Sequence, residues 1–184
     1  RVLLTGLLPD ITTDPAIETA IDSVEAGRSG TIVAPVGIRP PLLAAVASRA
    51  ATPLVVLTAT GRDAESLTNA LASWIPGVAM LPAWETLPHE RLSPQVDTMA
   101  RRIAVLRRLV HPIKGDDSAG PVSVLVVPIR AFLQPIISGL ADLEPVRVRT
   151  GDILDLTETT NRLAELGYER VDMVEGRGQM SVRG

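Results

Sequence analysis

The side chains best suited to acid–base chemistry lie in one short block, WETLPHE, where Glu85, His89 and Glu90 fall within six residues. An imidazole beside two carboxylates can move protons, but it needs a nucleophile, a metal or a bound substrate to act on. The chain has no Cys, which excludes thiolate nucleophiles, thiolate metal ligands and disulfides together. Its two His, His89 and His111, are too few for a multi-histidine metal centre. The plainer reading of the block is a Pro-stiffened connection with Trp84 packed on the domain.

A second candidate is TIVAPVGIRPPLLAA, residues 31–45, which reads as a strand passing through Gly37 into a helix. Such junctions bind phosphate because the free N–H groups of a helix start point outward. A phosphate loop counted from Gly37 needs Gly, Lys and a hydroxyl at positions 42, 43 and 44. The chain has Leu42, Leu43 and Ala44 there, and the dinucleotide pattern fails in the same way at Arg39 and Leu42. Pro40 and Pro41 each delete a donor that a phosphate would use. Arg39 is the one anion contact left. No catalytic, cofactor or metal residue follows from spacing.

These candidates sit on elements that the sequence punctuates clearly. Asp14 suits an N-cap, Pro15 the first helical position, and Gly27 the end, with Ile17, Ala20, Ile21 and Val24 on one face. The strand 31–36 precedes a helix starting at Pro40 or Pro41, with Leu42, Leu43 and Val46 inward. PLVVLTA, residues 53–59, reads as a parallel strand buried on both faces. Thr60 and Asp63 have capping-box-like spacing for a helix carrying Leu67, Leu71 and Trp74. GVAML is a short third strand. Ser93 caps and Pro94 opens the strongest helix, with Val96, Met99, Ile103, Leu106 and Val110 as its apolar face. Arg101, Arg102, Arg107 and Arg108 lie off that stripe, as on a solvated face.

VSVLVV, Val122–Val127, is a further buried strand, followed by a short helix from PIRAFLQ. Alternating strands and helices imply an α/β fold with a parallel sheet covered on both faces. The character changes after about Leu143. PVRVRTG alternates like a strand with one wet face. A helix follows with Leu156, Leu163 and Leu166 inward and Gly167 at its end. YERVDMV, the turn EGRG and QMSVRG then read as a β-hairpin. The division is a domain at 1–143 and the start of a small α+β domain at 144–184.

Composition bounds the function. The chain has 184 residues, 46% hydrophobic and 21% charged, enough to bury a core built from aliphatics. Its net charge of −3 argues against a wholly basic nucleic-acid module. No apolar run approaches the ~18 residues of a membrane span, and no leader peptide is evident. The expectation is a cytoplasmic protein. Starting at Arg1 and stopping at SVRG inside an expected strand, the stretch reads as part of a longer chain whose remainder carries chemistry. On residues alone, a divergent ATP-binding helicase-type domain and a small-molecule α/β enzyme using His89 and Glu90 stay open beside a docking module.

WETLPHERLSP with its Arg-bearing helix, then VLVVPIRAFLQ, then GYERVDMVEGRGQMSVRG, resembles the bacterial transcription-repair coupling factors (Mfd) from about Gly30 to Gly184. The blocks occur in the family's order. The resemblance implies a degenerate helicase-like domain similar to domain 1a of the repair protein UvrB, with an inserted domain like UvrB domain 2. It implies that the inserted domain docks UvrA, and that no ATPase resides in this segment. ATP, Mg²⁺, double-stranded DNA and RNA polymerase would be handled by domains outside it. In the resting family member, the C-terminal domain masks the same surface.

The resemblance carries Arg183 over as a UvrA contact, with Arg170 at a basic position that varies more. UvrB has an aromatic-then-Arg pair where this chain has Met180 and Ser181, so Met180 is the weakest of the expected contacts. The aromatic hairpin of UvrB has no room here, since about a dozen residues join Leu81 to Pro94.

Overall fold

A computed structural model describes residues 3–86, 95–116 and 118–183. Short helices α1 (Leu8–Thr12) and α2 (Pro15–Glu25) lead to α3 (Arg39–Arg49). Then follow β1 (Leu54–Thr58), α4 (Gly61–Leu71), β2 (Val78–Met80), α5 (Val96–Val110), β3 (Val124–Pro128) and α6 (Ile129–Phe132). The small C-terminal part holds α7 (Leu156–Glu165), β4 (Glu169–Arg170) and β5 (Gln179–Met180). The chain is therefore α/β, as expected. Among the described residues no helix is long and apolar enough to cross a membrane.

The main sheet is parallel, with order β1-β3-β2. Its centre is β3, where all five residues are buried. Alternate residues of β3 serve opposite layers. Val124 and Val126 join Ile21, Leu42, Ala44, Ala45, Leu71 and Ile75, the core formed with α1 to α4. Leu125 and Val127 join Ala79, Leu81, Val105, Leu106 and Ala131, the core under α5 and α6. Local capping works as the sequence indicates. The Asp14 carboxylate accepts from the N–H groups of Ala16 and Ile17, and Thr60 Oγ1 accepts from Asp63 N at 3.1 Å.

Several sequence expectations are corrected. β1 is not buried on both faces: Val55 and Leu57 are about half exposed, and no β1 residue belongs to the core under α5 and α6. Residues 31–36 do not form a strand. A strand needs a paired neighbour, no strand of the sheet pairs with them, and Pro35 has no N–H to give. Val33 is 95% exposed there. A 3₁₀ turn, Val36–Ile38, leads into α3, which carries Pro40 and Pro41 in its first turn.

Residues 145–151 also stay out of any sheet. The Asp152 carboxylate accepts from Arg149 N at 2.7 Å while Asp152 N donates to Arg149 O, so the segment closes into a turn. Helix α7 starts on Asp155, which caps Glu158 N, but buries no residue fully, and Leu156 is exposed. The expected hairpin is absent as well. β4 and β5 pair in parallel, Glu169 with Gln179 and Arg170 with Met180, and residues 171–178 form the crossing loop between them.

Candidate functional site

Helix α5 is the element on which the rest of the candidate site is organised, and it faces differently from its apolar stripe. Its buried residues are Thr98, Arg102, Val105 and Leu106, whereas Val96, Met99 and Val110 are exposed. Arg102 is 1% exposed. Its Nη1 donates to Pro82 O at 2.6 Å, and its guanidinium lies 4.4 Å from the centre of the Trp84 ring. Burial lowers its pKa, and its Nε has no hydrogen-bond partner among the described residues. The solvated-face reading thus fails for Arg102, because the Trp84 face and the Pro82 carbonyl replace water around it.

The acid of the same block is committed too. Glu85 Oε1 accepts from the Thr98 hydroxyl, and Arg130 donates to Glu85 O. Burial by itself raises the Glu85 pKa. The hydrogen bonds from Thr98 and the backbone N–H groups of Glu85 and Gln95, with the Arg130 charge, hold it below the usual carboxylate range. Gln134 closes the block, accepting from Trp84 N and donating to Trp84 O. A carboxylate kept ionised and hydrogen-bonded is a poor proton donor near neutrality. His89 and Glu90, and the Ser93–Pro94 helix start, lie outside the described residues.

The rest of α5 anchors the connection to the small part. Arg107 Nη1 donates to Leu143 O at 3.1 Å and pairs with Glu144, while His111 Nε2 lies 2.7 Å from Asp142 Oδ1. Arg108 Nε donates to Gly120 O at 2.9 Å. Arg147 pairs with Asp116, whose carboxylate also accepts from Ser118 and Ala119. A cavity of 280 Å³ lies among Arg107, Arg108, His111, Ser118 and Arg147. Arg107, His111 and Arg147 face the carboxylates of Glu144, Asp142 and Asp116, whereas Arg108 donates to the backbone carbonyls of Gly120 and Pro121. Of the four Arg on the helix, Arg101 is the one on open surface, bridging back to Asp97 at 2.6 Å.

A second cavity, of 430 Å³, opens in the small part between Arg170, Val171, Asp172, Ser181, Val182 and Arg183. Arg183 Nη2 donates to Asp172 O at 3.1 Å, and the Ser181 hydroxyl donates to the same oxygen at 3.0 Å. Arg183 therefore meets a backbone carbonyl rather than the carboxylate of Asp172 or Glu175. Arg170 sits one strand away, exposed on β4. Both arginines line one open cavity, and a guanidinium suits a carboxylate, which accepts forked N–H groups well. Met180 is placed differently: it is buried, so it packs beneath the surface instead of lining it. The crossing loop is pinned from inside by Gln179, whose Oε1 accepts from Glu175 N and Gly176 N.

At the 31–45 junction, Ile38 caps α3 without a side-chain hydrogen bond. Leu42, Ala44 and Ala45 are buried, so the positions a phosphate loop reserves for its Gly, Lys and hydroxyl include two core contacts. Among the described residues, no group of three or more His, Cys, Asp or Glu side chains is arranged to hold a metal.

Comparison with known proteins bears on this geometry. Residues 146–184, the part that carries the second cavity, match the UvrB interaction domain family. Over 157 residues the chain is 46% identical to the transcription-repair-coupling factor of Mycobacterium tuberculosis (strain CDC 1551 / Oshkosh), a match covering 84% of this chain and 12% of that protein. Identity to the transcription-repair-coupling factor of Escherichia coli (strain K12) is 27% over 145 residues, covering 78% of this chain and 12% of that one. The factor of Bacillus subtilis (strain 168) is 27% identical over 164 residues, covering 86% and 13%. The matched stretch is thus a small fraction of the relatives' length.

Proposed function

We infer that this chain, which belongs to the transcription-repair-coupling factor family, is the part of a longer protein that recruits UvrA to stalled RNA polymerase. The observation that carries the reading is the pair of exposed arginines, Arg170 and Arg183, lining one open cavity within the stretch matched to the UvrB interaction domain. In this reading residues 1–143 are a degenerate helicase-like scaffold and residues 144–184 begin the partner-binding domain. Arg183 is the main contact and Arg170 a weaker one. The segment hydrolyses no ATP. ATP, Mg²⁺, double-stranded DNA and RNA polymerase engage domains outside it, in a cytoplasmic protein. The C-terminal domain of the longer protein covers the same face when no partner is bound.

The chemistry supports this reading over an enzymatic one. The Glu85 carboxylate is engaged by Thr98, and the strand–helix junction has Leu42, Leu43 and Ala44 where triphosphate chemistry needs other residues. The test is UvrA binding by the full-length protein, unaltered against Arg183→Ala. Truncating an Arg that meets a partner carboxylate typically costs about 2–5 kcal/mol of binding, a loss of thirtyfold or more. Unchanged affinity removes Arg183 from the site. ATP binding by the 184-residue segment itself would favour a divergent helicase-type domain instead.

A further inference from the structure

The parallel pair β4–β5 is too short to hold its own connection, at two residues a strand. Something must fix residues 171–178, and three contacts do. Gln179 holds the backbone at Glu175 and Gly176 from one side. Ser181 and Arg183 hold Asp172 O from another. The third contact comes from the core. Arg177 Nη1 lies 3.0 Å from Asp97 Oδ1 in the first turn of α5, and the other Asp97 oxygen is 2.6 Å from Arg101 Nη2. The next residue, Gly178, runs so close to Val96 that a Cβ there would stand 3.1 Å from Val96 Cγ1, and its φ of +83° disfavours any side chain.

The far end of α5 holds the start of the same small part, through Arg107 on Leu143 O and Glu144. Ten residues of helix, about 15 Å at 1.5 Å per residue, therefore separate the two attachment points, Asp97 and Arg107. A rigid rod fixed at both ends sets where the loop stands, and the loop sets where Arg183 stands, because Asp172 O is the Arg183 acceptor. Arg101 keeps the Asp97 carboxylate oriented toward Arg177.

We propose that Asp97 is a positioning residue for the partner surface, acting through Arg177 to hold loop 171–178 and hence the Arg170–Arg183 cavity in its binding pose. The inference rests on the docking reading above for its partner, but the loop's restraint is measurable without one. The side chains of Asp97 and Arg177 are 35% and 67% exposed, so the pair is one that water screens. Its removal is expected to weaken partner binding by up to about fivefold, not to abolish it.

The experiment is a double-mutant cycle in the full-length protein with Asp97→Asn, Arg177→Gln and both together, plus Arg177→Lys as the conservative variant. Two quantities are read: amide hydrogen exchange across 171–178 without partner, and affinity for UvrA. The expected result is faster exchange in each single variant and no further change in the double. Binding falls about two- to fivefold in step, the thermal midpoint is unchanged, and Arg177→Lys recovers part of both. Additive effects in the cycle, or exchange that does not change, overturn the positioning role. If the unaltered protein does not bind UvrA, the docking reading falls, and the exchange cycle alone decides whether Asp97 positions the loop.

Discussion

Replacing Arg102 tests whether a buried cation or merely a buried shape holds the block at Pro82 and Trp84. Arg102→Ala removes a charge-assisted hydrogen bond to Pro82 O, about 1.5–3 kcal/mol. It also removes a cation–π contact with Trp84, about 0.5–2 kcal/mol where desolvated. Against this stands relief of a buried charge with an unpartnered Nε, about 1–3 kcal/mol. The void under Trp84 adds a cavity term, so the net expectation is a loss of about 2–4 kcal/mol. Arg102→Met fills most of the same space without the charge. Buried charges are often replaced by apolar residues at little cost, so Met is expected to fall within about 1 kcal/mol of the unaltered protein. Urea unfolding followed by circular dichroism gives both numbers. Trp84 emission, read in a Trp74→Phe background, should shift to the red in the Ala variant and not in the Met variant. If Met costs as much as Ala, the charge itself is what holds the block, and the shape argument is refuted.

Gly77 has φ +75°, and a Cβ there would stand 2.7 Å from Ser123 Oγ and 2.8 Å from Pro121 O, so Gly77→Ala is expected to cost about 2–4 kcal/mol in urea unfolding. Asp116 accepts from the Ser118 hydroxyl, then from Ala119 N and Ser118 N, and faces Arg147, which together lower its pKa from 3.8 to about 2. A depressed folded-state pKa contributes stability that is present above the ordinary value and lost as pH falls through about 2. Carboxyl NMR titration should find that midpoint, and Asp116→Asn should remove the acid dependence of exchange at the Ser118 and Ala119 amides.

The parts of this fold legible in the sequence are those fixed by contacts a few residues apart. Asp14 with Ala16 and Ile17, and Thr60 with Asp63, are capping bonds, and the residues that make them are adjacent in the chain. The apolar run at 122–127 announced a central strand because both faces of β3 are covered. What the sequence hid depends on distant partners. The alternation at 145–151 has the period of a strand, but a strand exists only where a second one accepts its hydrogen bonds, and here Asp152 takes the Arg149 N–H instead. The roll of α5 was hidden because Thr98 and Arg102 turn inward only when Glu85, Pro82 and Trp84 are there to receive them. One signal was available for the β4–β5 pair: eight residues, 171–178, separate the paired segments, longer than the two to five usual in a hairpin. For Asp97, its spacing to Arg101 showed half its role, and Arg177 the half that no spacing shows.

These partners also explain why Arg183 rather than any acid–base group stands out. The charged groups of the main part are engaged internally: Glu85 by Thr98, Arg107 by Glu144, Asp116 by its own loop and Arg147. Arg170 and Arg183 differ from them in kind. Arg183 is bonded to a neutral carbonyl, which orients the guanidinium without cancelling its charge, and Arg170 extends from a backbone fixed in the β4–β5 ladder. A partner carboxylate entering that cavity would find one of its two cations already oriented and the loop beneath it restrained from three sides. Binding then costs less side-chain ordering than a pair of free surface arginines would require. The same logic ranks the two: Arg183, the oriented one, should matter more to affinity than Arg170, and Arg170→Ala should weaken UvrA binding less than Arg183→Ala in the same titration. The reverse order would mean that the Asp172 carbonyl holds Arg183 in place for the fold and not for a partner.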